Sequence, residues 1–248
     1  MASNSKIEWT NHTFNPWWGC TKVSEGCKFC YAEAIANRYG HNVWGPTAER
    51  RTFGDNHWKE PLRWNQEASK IGERQRVFCA SMSDVFDERA PEEERQKLWD
   101  LIRRTPLLDW QILTKRPHLI SDNLPDDWND GYDNVWLGTS VEDVRVVHRI
   151  TQLAAVPATV HFLSLEPLIG PLDELPLDDI EWVIVGGESG PKSRPIQPEW
   201  VESIRLQCFD KNVPFFFKQW GGFRKKQNGR LLNDRTYDEM PLPAQLVR

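Results

Sequence analysis

The sequence is short of cysteine, of long apolar runs and of surplus positive charge: 248 residues carry five cysteines and a net charge of -5. An odd, small cysteine set fits a disulfide scaffold poorly, so clustered thiols are expected to bind metal or do redox chemistry. No apolar run approaches the roughly 20 residues that span a bilayer, and MASNSKIEW has no apolar signal stretch, so the expectation is a cytoplasmic protein without membrane association. A general nucleic-acid coat protein would be basic, and this chain is not. Internal repeats and low-complexity linkers are also missing. With 39% hydrophobic residues to build a core, one domain over residues 1–248 is expected.

What is present is a regular alternation. RVFCASMSD (76–84), WQILTKRP (110–117), VWLGTSVED (135–143), TVHFLSLEPL (159–168), EWVIVGGESG (181–190) and VPFFFKQWG (213–221) read as buried strands. PEEERQKLWDLIRR (91–104), VRVVHRITQLAAV (144–156) and PEWVESIRLQCFDKN (198–212) read as helices, and GPLDELPLDD as a loop. Apolar strands alternating with helices imply a parallel sheet covered on both faces. Each strand ends in a polar cluster, as in barrel enzymes whose chemistry comes from several strand ends, so a partial or complete (β/α) barrel is expected over a doubly wound sheet. Residues 41–74, rich in Trp and Arg and without clear periodicity, are expected to form an inserted lid, with a C-terminal extension from about 222.

Three of the five cysteines crowd into GCTKVSEGCKFCY, at Cys20, Cys27 and Cys30, while Cys79 and Cys208 stand alone in apolar runs as ordinary buried thiols. A closed zinc site wants four ligands; here only His12 and His41 could add to the three, and there is no second CxxC pair. On a cubane iron–sulfur cluster, three thiolates leave one iron open to bind a small molecule. Both readings stand at this level, the first giving a non-catalytic metal-binding protein.

The cysteine cluster, with Phe29 directly before the last thiol, resembles the radical S-adenosylmethionine (radical SAM) superfamily. More narrowly, TFNPWWGCTKVSEGCKFCYAE, SMSDVFD, LTKRP, SLEPL and VGGESG resemble the phage Gp37/Gp68 family over about residues 9–220. Six residues separate Cys20 from Cys27 where the superfamily commonly has three, whereas the spacing from Cys27 to Cys30 is the usual one. The resemblance implies a radical SAM barrel with a [4Fe-4S] cluster on the three cysteines after the first strand. It also implies S-adenosylmethionine cleaved to a 5′-deoxyadenosyl radical that takes hydrogen from a substrate, and an electron donor such as a flavodoxin or ferredoxin. Phe29 and Tyr31 would lie beside cluster or adenine. Ser81, Ser83 and Asp84 would replace the superfamily's amino-group motif, and Thr139, Ser140 and Glu142 would contact ribose or carboxylate.

Lys115 and Arg116, following a strand, could meet a carboxylate or phosphate at the barrel mouth. Glu166 and Glu188, both at strand ends, support an alternative from another class, a TIM-barrel glycoside hydrolase, which leaves the cysteines unexplained. Gly186 and Gly187 could let a ligand approach the backbone. The basic run RKKQNGR (224–230), together with the Trp and Arg residues of 41–74, makes a nucleotide or nucleic-acid base a substrate class to test.

Overall fold

The computed structural model describes residues 5–223 and 225–241, except the side chains of Lys225 and Lys226. Seven strands, β1 (His12–Phe14), β2 (Gln75–Cys79), β3 (Leu108–Thr114), β4 (Val135–Ser140), β5 (Val160–Leu165), β6 (Trp182–Gly186) and β7 (Phe215–Gln219), form one sheet in sequence order. Every neighbouring pair is parallel. The sheet ends at β1 on one side and β7 on the other, so the barrel is partial.

Between β1 and β2 run α1 (Tyr31–Arg38), α2 (Asp55–Trp58) and α3 (Glu60–Ile71); α4 (Glu92–Arg103), α5 (His148–Ala154) and α6 (Pro198–Asp210) follow β2, β4 and β6. In α4, Glu92, Glu93 and Glu94 occupy the first turn and Arg103 the last, complementing the helix dipole, while Leu98, Trp99 and Ile102 are buried against the sheet. The helix expected over 144–156 is shorter. The Asp143 side chain accepts the Arg145 amide (3.0 Å) and holds a 3-10 turn at Val144–Val146, and Pro157 stops the chain beyond α5.

The expected lid divides. Residues 60–71 are helix α3, whose Trp64 and Ala68 are buried in the main core, so this half is a structural layer of the barrel. The other half lies over the cysteine loop: Trp18 and Arg51 exchange backbone hydrogen bonds of 2.9 Å. The C-terminal segment runs antiparallel along β7, where Phe217 N donates to Tyr237 O (3.0 Å), and thereby covers that sheet edge. Of the basic run 224–230, Arg224 and the side chains of Lys225 and Lys226 lie outside the described residues; Arg230 is held by the Phe217 carbonyl (3.1 Å) and Asp238.

Two apolar layers sandwich the sheet. The outer one joins strands to helices. The inner one fills the barrel with aromatic side chains, Trp9, Phe78, Trp136, Phe162, Trp182 and Phe216, so the lower barrel is packed and the C-terminal strand ends open to a cavity.

Candidate active site

The cavity encloses about 1150 Å³, its mouth included. Cys20, Cys27, Cys30, Phe29, Tyr31, Ser81, Ser83, Asp84, Lys115, Arg116, Ser140, Glu166 and Glu188 all line it. Thr139 and Glu142 do not. Thr139 is fully buried, its hydroxyl donating to Thr114 O (3.1 Å), because alternation along β4 turns it away from the cavity. Glu142 lies beneath the cysteine loop, accepting from Ser24 Oγ, Lys115 Nζ and Arg149 Nη1, each at 3.0 Å. Gly26 passes directly over it: an added Cβ would sit 2.4 Å from Glu142 Cγ.

The cysteine loop stands on a buried chain of charge. Arg116 donates to Asp84 Oδ2 (3.0 Å), to Thr21 O (2.7 Å) and, through Nη1, to Cys20 Sγ (3.7 Å). Asp87 lies between Arg116 (3.5 Å) and Arg50 (2.6 Å), and the side chains of Arg50, Arg116 and Asp87 are at most 1% exposed. Asp84 Oδ1 accepts from Thr114 Oγ1 (2.7 Å) and Phe86 N (3.0 Å), and Oδ2 from Lys115 N (3.1 Å) and Arg116. Asp84, expected to hold an amino group of S-adenosylmethionine, is thus already saturated by its own protein and works as the keystone of the loop. Gly19, at φ +115°, hydrogen-bonds Met82 O (3.0 Å); a Cβ there would lie 2.3 Å from Val43 O.

Burial pushes the Cys20 thiol up to about 12, Asp84 adding to the rise and Arg116 opposing it. Cys30 is also raised by burial, opposed by the Glu33 and Ala32 amides at the start of α1, which it caps. Burial works against the Lys115 charge, but Glu142 and Cys27 hold it above the usual lysine range.

The donor set can be tested against a metal group. Among the described residues no three His, Cys, Asp or Glu side chains converge tightly enough for a single ion. His12 stacks on Trp64 (4.4 Å) and His41 packs edge-on to Trp18 (5.8 Å); neither lines the cavity, so the expected extra zinc ligands are not there. Three thiols spaced around one cavity fit a polynuclear cluster, which wants ligands spread over its corners.

On the β5–β7 wall, Lys218 Nζ donates to both oxygens of Glu166 (2.8 and 2.7 Å), while Arg194, which also donates to Glu25 O of the cysteine loop (3.0 Å), grips Glu188 through Nε (2.9 Å) and Nη2 (2.6 Å). Each acid of the glycosidase alternative is therefore taken by its own cation, leaving no free acid pair. Gly186 and Gly187 serve the chain itself: Cβ atoms would meet the Glu166 carboxyl at 3.3 Å and Trp220 O at 2.2 Å.

Sequence reasoning missed Arg50, Asp87, Ser24 and Asn15. Asn15 Oδ1 accepts the Met82 amide (2.7 Å), and its amide donates to Ser81 Oγ (3.1 Å). The legible signal was SMSDVFD, where acids flanking Val85 and Phe86 imply buried, partnered carboxylates.

A family model described as "Protein of unknown function (DUF5131)" matches residues 4–241. The chain belongs to DUF5131. That description is not the phage Gp37/Gp68 name the motifs suggested. No curated protein matches the DUF5131 chain. Solved structures similar to it include a spore photoproduct lyase variant with bound AdoMet and dinucleoside spore photoproduct (11% identity, TM-score 0.48). The match covers 82% of this chain and 62% of that one. Another is spore photoproduct lyase complexed with the dinucleoside spore photoproduct (12% identity, TM-score 0.47, the same coverage). The DUF5131 chain thus spans about 62% of the length of these lyase chains. Among its described residues no helix is long and apolar enough to cross a membrane.

Proposed function

We propose that this protein is a radical SAM enzyme, folded as one barrel domain, with Cys20, Cys27 and Cys30 as ligands of a [4Fe-4S] cluster. The observation that carries the reading is the cavity with three thiols on one loop, itself fixed by the buried Arg50–Asp87–Arg116–Asp84 chain of ion pairs. A stability argument does not account for that buried chain, since burying four charges costs several kcal/mol per ion before pairing repays it. A site that must hold sulfur ligands in one geometry does account for it.

When bound, such a cluster supplies the electron, received from a donor such as a flavodoxin or ferredoxin, that cleaves S-adenosylmethionine to a 5′-deoxyadenosyl radical able to take hydrogen from substrate. The protein's own residues hold, orient and shield. Arg116 fixes the Cys20 end of the loop, Glu142 and Ser24 fix its middle, and the α1 amides face Cys30. Lys115, Ser140 and the Ser81–Ser83 turn face the cavity with polar atoms for the polar groups of S-adenosylmethionine. A nucleotide or nucleic-acid base is the substrate class, supported by the Phe29, Tyr31 and Trp44 rings on the cavity wall.

The test is anaerobic reconstitution with iron and sulfide, iron and sulfide analysis, then dithionite, S-adenosylmethionine and mass spectrometry for 5′-deoxyadenosine. About four irons per chain and 5′-deoxyadenosine are expected, both lost in the Cys20, Cys27, Cys30 triple alanine variant. Zinc uptake with no iron assembly would replace this reading by the structural metal site.

A further inference from the structure

The cavity wall built from β5, β6 and β7 has a feature that the cluster chemistry does not use. At the end of β7, a β-bulge shifts the register so that Val185 pairs with Phe217 but Gly186 pairs with Gln219. Successive residues of a strand normally face opposite ways, and a bulge re-aims one of them. Here the bulge turns both Lys218 and Gln219 toward one carboxylate. Lys218 Nζ contacts Glu166 Oε1 and Oε2 at 2.8 and 2.7 Å, and Gln219 Nε2 reaches Glu166 Oε1 (3.4 Å) and Ser189 Oγ (2.9 Å).

The hydrogen-bonding capacity of this group is partly unused. An ammonium has three donors, and two go to Glu166. Oε1 accepts from both Lys218 and Gln219, whereas Oε2 accepts from Lys218 alone. Among the described residues one N–H of Lys218 and one carboxylate lone pair of Glu166 therefore remain without a partner, on side chains that both line the cavity. Lys218 and Glu166 side chains keep 16% and 21% of their surface open, so a ligand can reach them. The pair is neutral as a unit, which disfavours a phosphate or a metal ion as its partner. What matches it is an uncharged planar group with a donor and an acceptor next to each other, which is the edge of a nucleobase. Aromatic rings for stacking are present on the same cavity, in Phe29, Tyr31 and Trp44.

The geometry points to Glu166 and Lys218 as the residues that read the hydrogen-bonding edge of a nucleobase substrate, with Gln219 and Ser189 positioning the Glu166 carboxylate. This rests on the cavity being the active site assigned above and adds the wall on which the base is recognised.

The experiment uses the purified full chain and four deoxynucleosides, thymidine, deoxyguanosine, deoxyadenosine and deoxycytidine, at about 1 mM, with binding read by saturation-transfer NMR. Edge-blocked counterparts such as N3-methylthymidine are run beside them. At least one nucleoside is expected to bind, its edge-methylated counterpart to bind about tenfold more weakly, and E166Q and K218M each to weaken the unmodified nucleoside by about tenfold. Lys211→Met, at the C-terminal end of α6, should change nothing. Thermal melting of each variant verifies folding, and the double E166Q/K218M variant, which removes both charges together, guards against a lone buried charge being the cause. Absence of binding by all four nucleosides overturns the inference, as does equal binding of the edge-blocked forms or equal binding by the variants. Iron content and S-adenosylmethionine affinity are measured on the same variants. If E166Q and K218M lose S-adenosylmethionine instead of nucleoside, the wall serves the cosubstrate and the inference falls while the cluster reading stands. If nucleoside binds in an edge-dependent way but no iron assembles, the cluster reading falls and the base-reading wall stands.

Discussion

The two walls of the cavity hold charge in opposite ways. Under the cysteine loop, Arg50, Asp87, Arg116 and Asp84 form a chain of ion pairs whose side chains are at most 7% exposed, and each carboxylate oxygen of Asp84 has two donors. On the β5–β7 wall, Glu166 and Lys218 make one bidentate pair, 16–21% exposed, with a donor and an acceptor left over. A buried chain of charges in which both oxygens of Asp84 are fully occupied holds a shape. An open pair with spare valence can exchange partners, which is what recognition of a ligand requires.

Matched substitutions break this comparison most severely. Arg116→Met leaves Asp84 and Asp87 buried without a cation between them, and a loss of about 3–5 kcal/mol is expected in urea denaturation. Lys218→Met strips one partner from a carboxylate that still faces the cavity, so a loss of about 1 kcal/mol is expected. Equal losses would mean that the two walls are built alike.

A smaller effect separates loop geometry from charge. Gly26→Ala adds a methyl 2.4 Å from Glu142 Cγ, and Glu142 cannot give way because Lys115, Arg149 and Ser24 hold it. Overpacking of this kind costs about 1–3 kcal/mol. Because the strain falls on the cysteine loop, iron uptake should fall in proportion, whereas the preference for a nucleoside over its edge-methylated form, set by Glu166 and Lys218, should not. A third difference is chemical. The Cys20 pKa is raised by burial, so less of it is thiolate at pH 8 than in a free thiol. In the apo protein iodoacetamide should modify Cys20 at least about tenfold more slowly than it modifies glutathione, measured by peptide mass spectrometry.

The sheet was legible because six of its strands are apolar runs closed by polar clusters; β1 was not, since three residues carry no periodicity and only pairing with β2 makes His12–Phe14 a strand. Lys115, Arg116 and Glu166 were legible for the same reason, strand ends in a barrel being gathered at one face, whereas the cysteines were legible by their crowding into one loop and Ser81 through the family resemblance. What the sequence hid was partnership. Arg50 lies 37 residues from the Asp87 it meets, in a segment that read as a lid, and no local pattern records that contact. Glu142 looked like Ser140, two residues before it, yet the end of β4 at Ser140 takes Glu142 out of alternation and under the loop.

Below both walls, Gln111 offers the finest test of how the barrel divides its polar groups. It pairs in register with Phe78 and Trp136, both in the inner aromatic layer, so its amide points into the packed barrel. It is 0% exposed, and neither Nε2 nor Oε1 has a protein partner. A buried amide in that state costs about 1–3 kcal/mol, and an apolar side chain of the same length removes the cost. Gln111→Met should therefore raise the urea midpoint, by about 1–2 kcal/mol in stability, with iron uptake unchanged, because the buried ion pairs under the cysteine loop do not touch it. A loss of stability instead would mean that Gln111 is satisfied by ordered water, and the barrel floor would then be a polar layer joining the two walls rather than a dry one separating them.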